Sequence, residues 1–382
     1  MPDNTRHVVL FFTQDISLSL WKDTGLYERE VLPYLALAKE KGYRVSFLTY
    51  GDESDLDFQE ALAPIEIIPL WSGDAPKSRL MKVLKAPFAL MKHKDKLQEA
   101  NIYKTNQFWG GWNAIFAKWL WGGKVIARQG YEYFQFAKAQ EKPPHQLFIA
   151  YILEWFIYKF SDRIVLATQS DADFARSHFH FLDKAQIDIQ PNWIDTERFK
   201  PSADHEDYKA DLVFIGRLNA QKNLPSLIKA CADHGYSLDI YGDGELKNVL
   251  QIHVSELGSN AIRFMGRVPN DEIPSLLKHY KAFILPSLFE GNPKALLEAM
   301  ACGKAVIACD VAGSRDVLKD GETGALCDID DKSIAETIEK IINDPSLRKA
   351  LGKAARKVIE ERYSLERFIE DEEERYEQIL KR

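Results

Sequence analysis

An α/β protein of two domains, each built on a largely parallel sheet, is the fold class this sequence predicts. Strand-like apolar runs alternate with helical patterns from end to end, which is the signature of parallel sheets covered by helices. The chain has 382 residues, more than the roughly 250–300 at which single cores stop growing. A polar, proline-bracketed segment, Gln190 to Pro201 and the charged stretch Ser202–Lys209, divides the alternation into two halves.

The elements follow in order. In the first half the apolar runs His7–Phe12, Arg44–Tyr50, Ile65–Leu70, Lys124–Arg128 and Arg163–Thr168 read as strands. In the second half the strands are Leu212–Gly216, Ser237–Gly242, Ile262–Gly266, Ala282–Pro286 and Ala305–Ala308. The last helix, Leu365 to Lys381, is so charged that solvation on most faces is expected. The longest apolar stretch, Leu147 to Phe160, is interrupted by Glu154 and Lys159 and is too short to span a bilayer.

Composition narrows the function. Apolar residues make up 46% and charged residues 28%, an ordinary globular balance, and a net charge of −7 argues against general nucleic-acid binding. Cys231, Cys302, Cys309 and Cys327 lack metal-ligand spacing, and the stretch Met1–Arg6 lacks the apolar core of a signal peptide. Reduced thiols in a cytoplasmic protein are expected. The eight tryptophans all fall at or before Trp193. They read either as packing or as an aromatic acceptor site or membrane-facing rim.

Chemistry concentrates in the second half. The strand Ala282–Leu285 runs into Pro286-Ser287-Leu288-Phe289-Glu290-Gly291-Asn292-Pro293, and a helix is expected to open with Asn292 as cap and Pro293 at its first position. Gly303 would stop it. The free N–H groups and positive dipole end of such a helix suit a phosphate. Glu290 on the turn and Glu298 in the helix could each grip neighbouring hydroxyls, suggesting a ligand with a central diphosphate and a sugar at both ends. Upstream, Phe214-Ile215-Gly216-Arg217 ends a strand, and Lys222 stands near the next helix. Parallel sheets bind ligands at the carboxyl ends of their strands, where a guanidinium and an ammonium can both meet a phosphate.

These motifs, with Tyr241-Gly242-Asp243-Gly244, Phe264-Met265-Gly266-Arg267-Val268, Glu298-Ala299-Met300-Ala301-Cys302-Gly303, Gly313 and Gly321-Glu322-Thr323-Gly324, resemble the retaining glycosyltransferases of family four. The similarity is strong over 209–330. It implies a GT-B fold: two Rossmann-like domains facing across an interdomain cleft, the first over 1–195, the second over 205–362, with a helix about 363–382 packing back on the first. It implies a UDP- or GDP-sugar donor, no cofactor, and a glycan or lipid-linked glycan acceptor, as in bacterial surface polysaccharide synthesis. By the same resemblance Glu298 would hold the ribose and Glu290 the transferred sugar. Gly216, Arg217 and Lys222 would flank the diphosphate, with Gly291, Asn292 and the backbone of Lys294, Ala295 and Leu296. Val268 would touch the base, and Gly25 would supply a glycine loop from the first domain. Arg217, Lys222 and Glu290 form the expected catalytic set.

One departure concerns the histidine that many relatives carry after a central strand of the first domain. Here that stretch reads Ala127-Arg128-Gln129-Gly130-Tyr131, so Arg128, Gln129 or Tyr131 is expected to line the acceptor side. Two Asp-x-Asp matches, at Asp171/Asp173 and Asp328/Asp330, read as helix caps and first-turn acids, and no metal is expected. Lys77 to Gln98 interleaves basic and apolar residues against one acid, Asp95; it reads equally as a solvated helix or as an anchor to an anionic membrane surface, on the inner face of the cell membrane. A sugar phosphorylase, or a non-catalytic subunit binding nucleotide-sugar or glycan, would satisfy the same motifs.

Overall fold

A computed structural model describes residues 6–73, 75–202 and 207–381. The chain divides into two compact units, Met1–Pro191 with Phe368–Arg382, and Asn192–Arg367.

The first unit is built on seven parallel strands: β1 (His7–Phe11), β2 (Arg44–Thr49), β3 (Glu66–Pro69), β4 (Ile102–Thr105), β5 (Lys124–Gln129), β6 (Arg163–Leu166) and β7 (Ile187–Ile189). Their order across the sheet is β3-β2-β1-β4-β5-β6-β7. The second unit has six, also parallel: β8 (Ala210–Ile215), β9 (Leu238–Tyr241), β10 (Ile262–Gly266), β11 (Tyr280–Leu285), β12 (Ala305–Cys309) and β13 (Ala325–Cys327), in the order β10-β9-β8-β11-β12-β13. Central strands are buried on both faces, which is why Val8-Val9-Leu10-Phe11 and Phe283-Ile284-Leu285 read as unbroken apolar runs. In each sheet the order reverses beside the first strand, between β1 and β4 and between β8 and β11. Crevices at such reversals, outside the carboxyl ends of the strands, are where open α/β sheets bind ligands.

The ten expected strands are all present, and β4, β7 and β13 are additional. Two of these have three residues each. The third, Ile-Tyr-Lys-Thr, carries a lysine in its middle. Lys104 is fully buried there because Glu372, equally buried, pairs with it. Glu372 also accepts from Arg375 Nη1 at 2.7 Å and from the Tyr376 hydroxyl at 2.5 Å. The helix Leu365–Leu380 is therefore not solvated on most faces: Phe368, Ile369, Glu372, Arg375, Tyr376 and Ile379 are buried. Its charges read as a surface run because the ionic partner lies 268 residues away.

The polar segment after Pro191 is not a free connection. The Ile194 N–H donates to Tyr363 O at 2.7 Å, and the Arg356 guanidinium donates to Thr196 O and Phe199 O, which ties the segment to the second unit.

Candidate functional site

In the second unit the loops after β8, β9 and β10 stack backbone to backbone. The Gly216 N–H donates to Tyr241 O at 3.0 Å, Gly242 to Gly266 O at 2.7 Å and Leu218 to Asp243 O at 3.0 Å. Gly242 has φ +145°, and a Cβ there would stand 1.8 Å from Gly216 O. Only glycine permits this approach. Arg217 emerges from the stack exposed, in no ion pair with any described residue.

The neighbouring strand β11 delivers the acidic turn. Lys222, in the single 3-10 turn Ala220–Lys222, pairs with Glu290 Oε1, to which Ser287 Oγ also donates at 2.6 Å. Gln221 clamps the two loops together: its carbonyl accepts from Leu288 N–H and its carboxamide donates to Phe289 O, both at 2.8 Å. Behind the turn, a Cβ on Gly313 would lie 2.0 Å from Gly291 O, so the helix Ala312–Arg315 approaches as closely as its backbone allows. Arg217, Lys222 and Glu290 thus follow two adjacent strands at the sheet's reversal.

The helix opens one residue later than the sequence suggests. It spans Lys294–Ala301 with Pro293 as the N-cap residue, and no side chain caps it. The Asn292 carboxamide instead accepts from Asn192 N–H at 3.0 Å. Of the three amides expected to face a phosphate, that of Leu296 already donates to Pro293 O at 3.1 Å. Lys294 and Ala295 precede the first intrahelical bonds. Gly303 and Lys304 close the far end on Met300 O and Ala299 O in a Schellman motif. Glu298 is 3% exposed, and its Oε1 accepts from Asn270 Nδ2 at 2.9 Å and Lys294 Nζ at 3.1 Å. No described residue donates to its Oε2. Asn270 was not singled out from the sequence; it lies two residues past half-buried Val268, on the loop after β10.

The remaining expected residues lie in the first unit. Gly25 is exposed and ends the helix Leu18–Asp23, donating to Lys22 O while Leu26 donates to Trp21 O. Arg128 and Gln129 end β5 and are buried, 6% and 1% exposed. The Arg128 guanidinium lies 5.5 Å from the Phe368 ring, and the Gln129 carboxamide donates to Glu154 Oε1 at 2.9 Å. Tyr131 is half-buried against Phe136.

Glu154, which interrupts the apolar stretch, is fully buried and also accepts from the N–H groups of Tyr133 and Phe134. Glu132 faces it, and burial raises the affinity of both carboxyls for a proton, reinforced at Glu132 by the hydrogen bond and like charge of Glu154. Asp171 lies in the first turn of a helix capped by the Thr168 hydroxyl, and Asp330 caps the helix Asp331–Ile342 through Ser333 N–H. Among the described residues no cluster of three metal-ligating side chains occurs.

Two family profiles match the chain. Glycosyl transferases group 1 covers residues 195–358, and Glycosyltransferase Family 4 covers 35–198. Among curated proteins, the UDP-Gal:alpha-D-GlcNAc-diphosphoundecaprenol alpha-1,3-galactosyltransferase of Escherichia coli is 28% identical over 213 residues, covering 51% of this chain and 55% of that protein. The matches span about half the length of the first curated relatives. Among solved structures, sucrose-phosphate synthase from Thermosynechococcus elongatus aligns over 98% of this chain and 99% of its own, with TM-score 0.79 and 20% identity. Anabaena Alr3699/HepE, solved in complex with UDP-glucose, aligns over 97% of this chain and 99% of its own, with TM-score 0.71 and 16% identity. These likenesses establish the GT-B fold.

Proposed function

The chain belongs to the group 1 glycosyltransferases of family 4, and from that membership we propose that it moves a sugar, with retention, from a nucleotide-diphosphate sugar to a lipid-linked glycan of a surface polysaccharide. The observation that carries the donor assignment is the meeting of Arg217 and Lys222 after β8 with the Glu290 turn and the Lys294–Ala301 helix after β11. Two cations and two unspent helix amides there suit a diphosphate, and two carboxylates suit the hydroxyls on either side of it. UDP is the first base to test, because the neighbour HepE was solved with UDP-glucose and the Escherichia coli relative is named for UDP-Gal.

Lys222 is paired with Glu290. On donor binding the diphosphate takes over Lys222, and Glu290 turns to the transferred sugar. The bond from the anomeric carbon to the diphosphate oxygen then breaks. The acceptor oxygen bonds to that carbon on the same face, and the departing diphosphate oxygen takes the acceptor proton. Arg217, Lys222 and the amides of Lys294 and Ala295 stabilise the departing charge without requiring a metal ion. Glu290 and Glu298 are both committed to hydroxyls, so neither serves as a nucleophile at the roughly 5 Å spacing of a double displacement.

An anionic membrane surface as partner is supported by a face broader than residues 77–98. The helix Arg79–Met91 packs on Gly111–Trp121, and that helix on Pro144–Phe160. Leu84, Phe88, Trp119, Phe148 and Ile152 stand exposed on them, Phe88 by 72%. Lys77, Lys85, Lys92 and Lys94 are exposed nearby, whereas Arg79 and Lys82 are engaged by Asp15, and Lys96 by Glu66. Among the described residues no helix is long and apolar enough to cross a membrane.

The deciding experiment incubates the protein with UDP-glucose, UDP-galactose and GDP-mannose, with and without chelator, beside a lipid-diphosphate-linked acceptor. Product carrying the donor's anomeric configuration, formed in chelator, is expected. Sugar phosphate formed from a glycan and inorganic phosphate, without nucleotide, would reassign the protein as a phosphorylase. Binding of donor without turnover on any acceptor would make it an accessory subunit.

A further inference from the structure

We propose that a basic cavity at the amino ends of β11 and β12 binds a small organic phosphate, at a site separate from the donor residues. The cavity, about 710 Å³, lies wholly within the second unit. Pro201, Tyr208 and Pro345 give it an apolar wall. Lys281 enters from the start of β11, Lys304 precedes β12, and Arg348, Lys349, Lys353, Arg356 and Lys357 come from the helix Pro345–Arg362. Glu360 is the one carboxylate in its lining. The donor residues follow the opposite, carboxyl end of β11. Six strand residues separate the two places, about 20 Å at roughly 3.3 Å per residue.

The lining carries seven cations, three of them paired with carboxylates: Lys281 with Asp211 at 2.7 Å, Arg356 with Glu360 at 2.6 Å and Lys357 with Glu361 at 3.7 Å. Lys349, Lys353 and Lys357 recur every four residues, so they share a helix face, where like charges at this spacing disfavour the helix. The two guanidinium groups are held in place by backbone carbonyls, and Arg356 is also paired with Glu360. Arg348 donates to the carbonyls of Ile341 and Ile342 at the end of the preceding helix. Arg356 donates to Ala301 O at 2.9 Å and Thr196 O at 3.1 Å, with Glu360 on its Nε. Bonds to neutral carbonyls orient a guanidinium while leaving its charge for an anion. Lys353 is exposed and forms no ion pair with any described residue.

The ligand class follows from shape and charge. A concavity of this volume takes a small molecule rather than a flat membrane or a polymer. The aromatic and proline wall suits a sugar or base face, and the cations suit the phosphate it carries.

Isothermal titration of the full chain with glucose 6-phosphate, with and without saturating UDP, tests this. Lys349→Ala/Lys353→Ala, both exposed positions, should weaken glucose 6-phosphate binding about tenfold or more and leave UDP binding unchanged. Lys222→Ala should weaken UDP and spare glucose 6-phosphate. No binding at millimolar glucose 6-phosphate, or binding that UDP or Lys222→Ala abolishes while Lys349→Ala/Lys353→Ala does not, would overturn the site. Phosphatidylglycerol vesicles that bind through these lysines, where soluble phosphates do not, would overturn it in favour of a lipid headgroup. Failure of UDP alone leaves this readout intact and counts only against the donor assignment.

Discussion

Lys222→Ala should destabilise the second unit by leaving Glu290 a nearly buried carboxylate without its cation. The two side chains are 15% and 7% exposed. Removing one partner of a buried pair costs about 3–5 kcal/mol when nothing replaces it. Glu290 keeps the Ser287 hydroxyl at 2.6 Å and a long contact from Gln221 at 3.4 Å, so about 2 kcal/mol is the expected loss. Glu290→Gln removes the charge itself and should recover part of that loss, giving a coupling of about 1–2 kcal/mol between the two sites. Urea unfolding followed by circular dichroism on both single variants and the double variant measures it. Kinetics supply a second reading: Lys222→Ala and Arg217→Ala should each lower turnover roughly a hundredfold, about 3 kcal/mol in the barrier. Additive stability costs, with turnover and UDP stabilisation unchanged in Lys222→Ala, would refute the shared role of this pair in folding and donor binding.

Other perturbations separate binding from scaffold. Glu298→Gln should weaken nucleotide binding about tenfold or more with a smaller effect on turnover, and Asn270→Ala, which removes a 2.9 Å donor, should follow in the same direction; titration with UDP checks both. Gly313→Ala places a methyl 2.0 Å from Gly291 O, so the Glu290 turn must shift; a loss of about 2 kcal/mol or more in urea stability, with donor binding lost in parallel, is expected. Leu84→Glu/Phe88→Glu should abolish flotation with phosphatidylglycerol vesicles and leave transfer to a short soluble acceptor intact.

What the sequence disclosed, and what it hid, divides by the range of the interactions. Strands such as β1 and β11 declare themselves because a twice-covered strand has only apolar neighbours. The placement of Arg217, Lys222 and Glu290 after neighbouring strands was legible because each motif is local: Gly216-Arg217 ends one strand, and the Glu290 turn with Glu298 follows another. Their convergence needed only that β8 and β11 be neighbours. At the candidate site the sequence missed what long-range contacts decide. Asn270 meets Glu298 across 28 residues and has no periodic signal. Gln129 gave no sign of its bond to Glu154, which lies on a helix whose own sequence shows it only as an interruption. Asn292 looked like a helix cap, since asparagine beside proline favours that position, but the Asn192 N–H claims its carbonyl from 100 residues away.

The buried Lys104–Glu372 pair carries that lesson into a measurable pH dependence. Burial alone would push Glu372 up, but Lys104 and Arg375 outweigh it and hold the carboxyl at about 2. Burial likewise lowers Lys104 to about 8, against the opposing pull of Glu372. Between pH 4.5 and 2 the folded form therefore binds fewer protons than the unfolded chain at Glu372. This group's contribution, roughly 3 kcal/mol for a shift of this size, is present above pH 4.5 and lost as pH falls toward 2. Between pH 8 and 10.5 the folded form holds fewer protons at Lys104, so the lysine's contribution rises with pH there as its buried charge is relieved. Glu372→Gln should flatten the acid limb of stability relative to the native chain, and should cost stability at pH 7 because Lys104 then stands unpaired among the Tyr34 and Phe368 rings. Arg375 keeps Asp188 at 2.9 Å, so the loss at pH 7 belongs chiefly to Lys104. Lys104→Met/Glu372→Leu should be less destabilising than the sum of the two single changes, since apolar side chains suit the site once both charges are gone. Urea midpoints measured from pH 7 down to pH 3 decide the matter: an acid slope identical in Glu372→Gln and the native chain would mean that this carboxylate does not hold the last helix to β4.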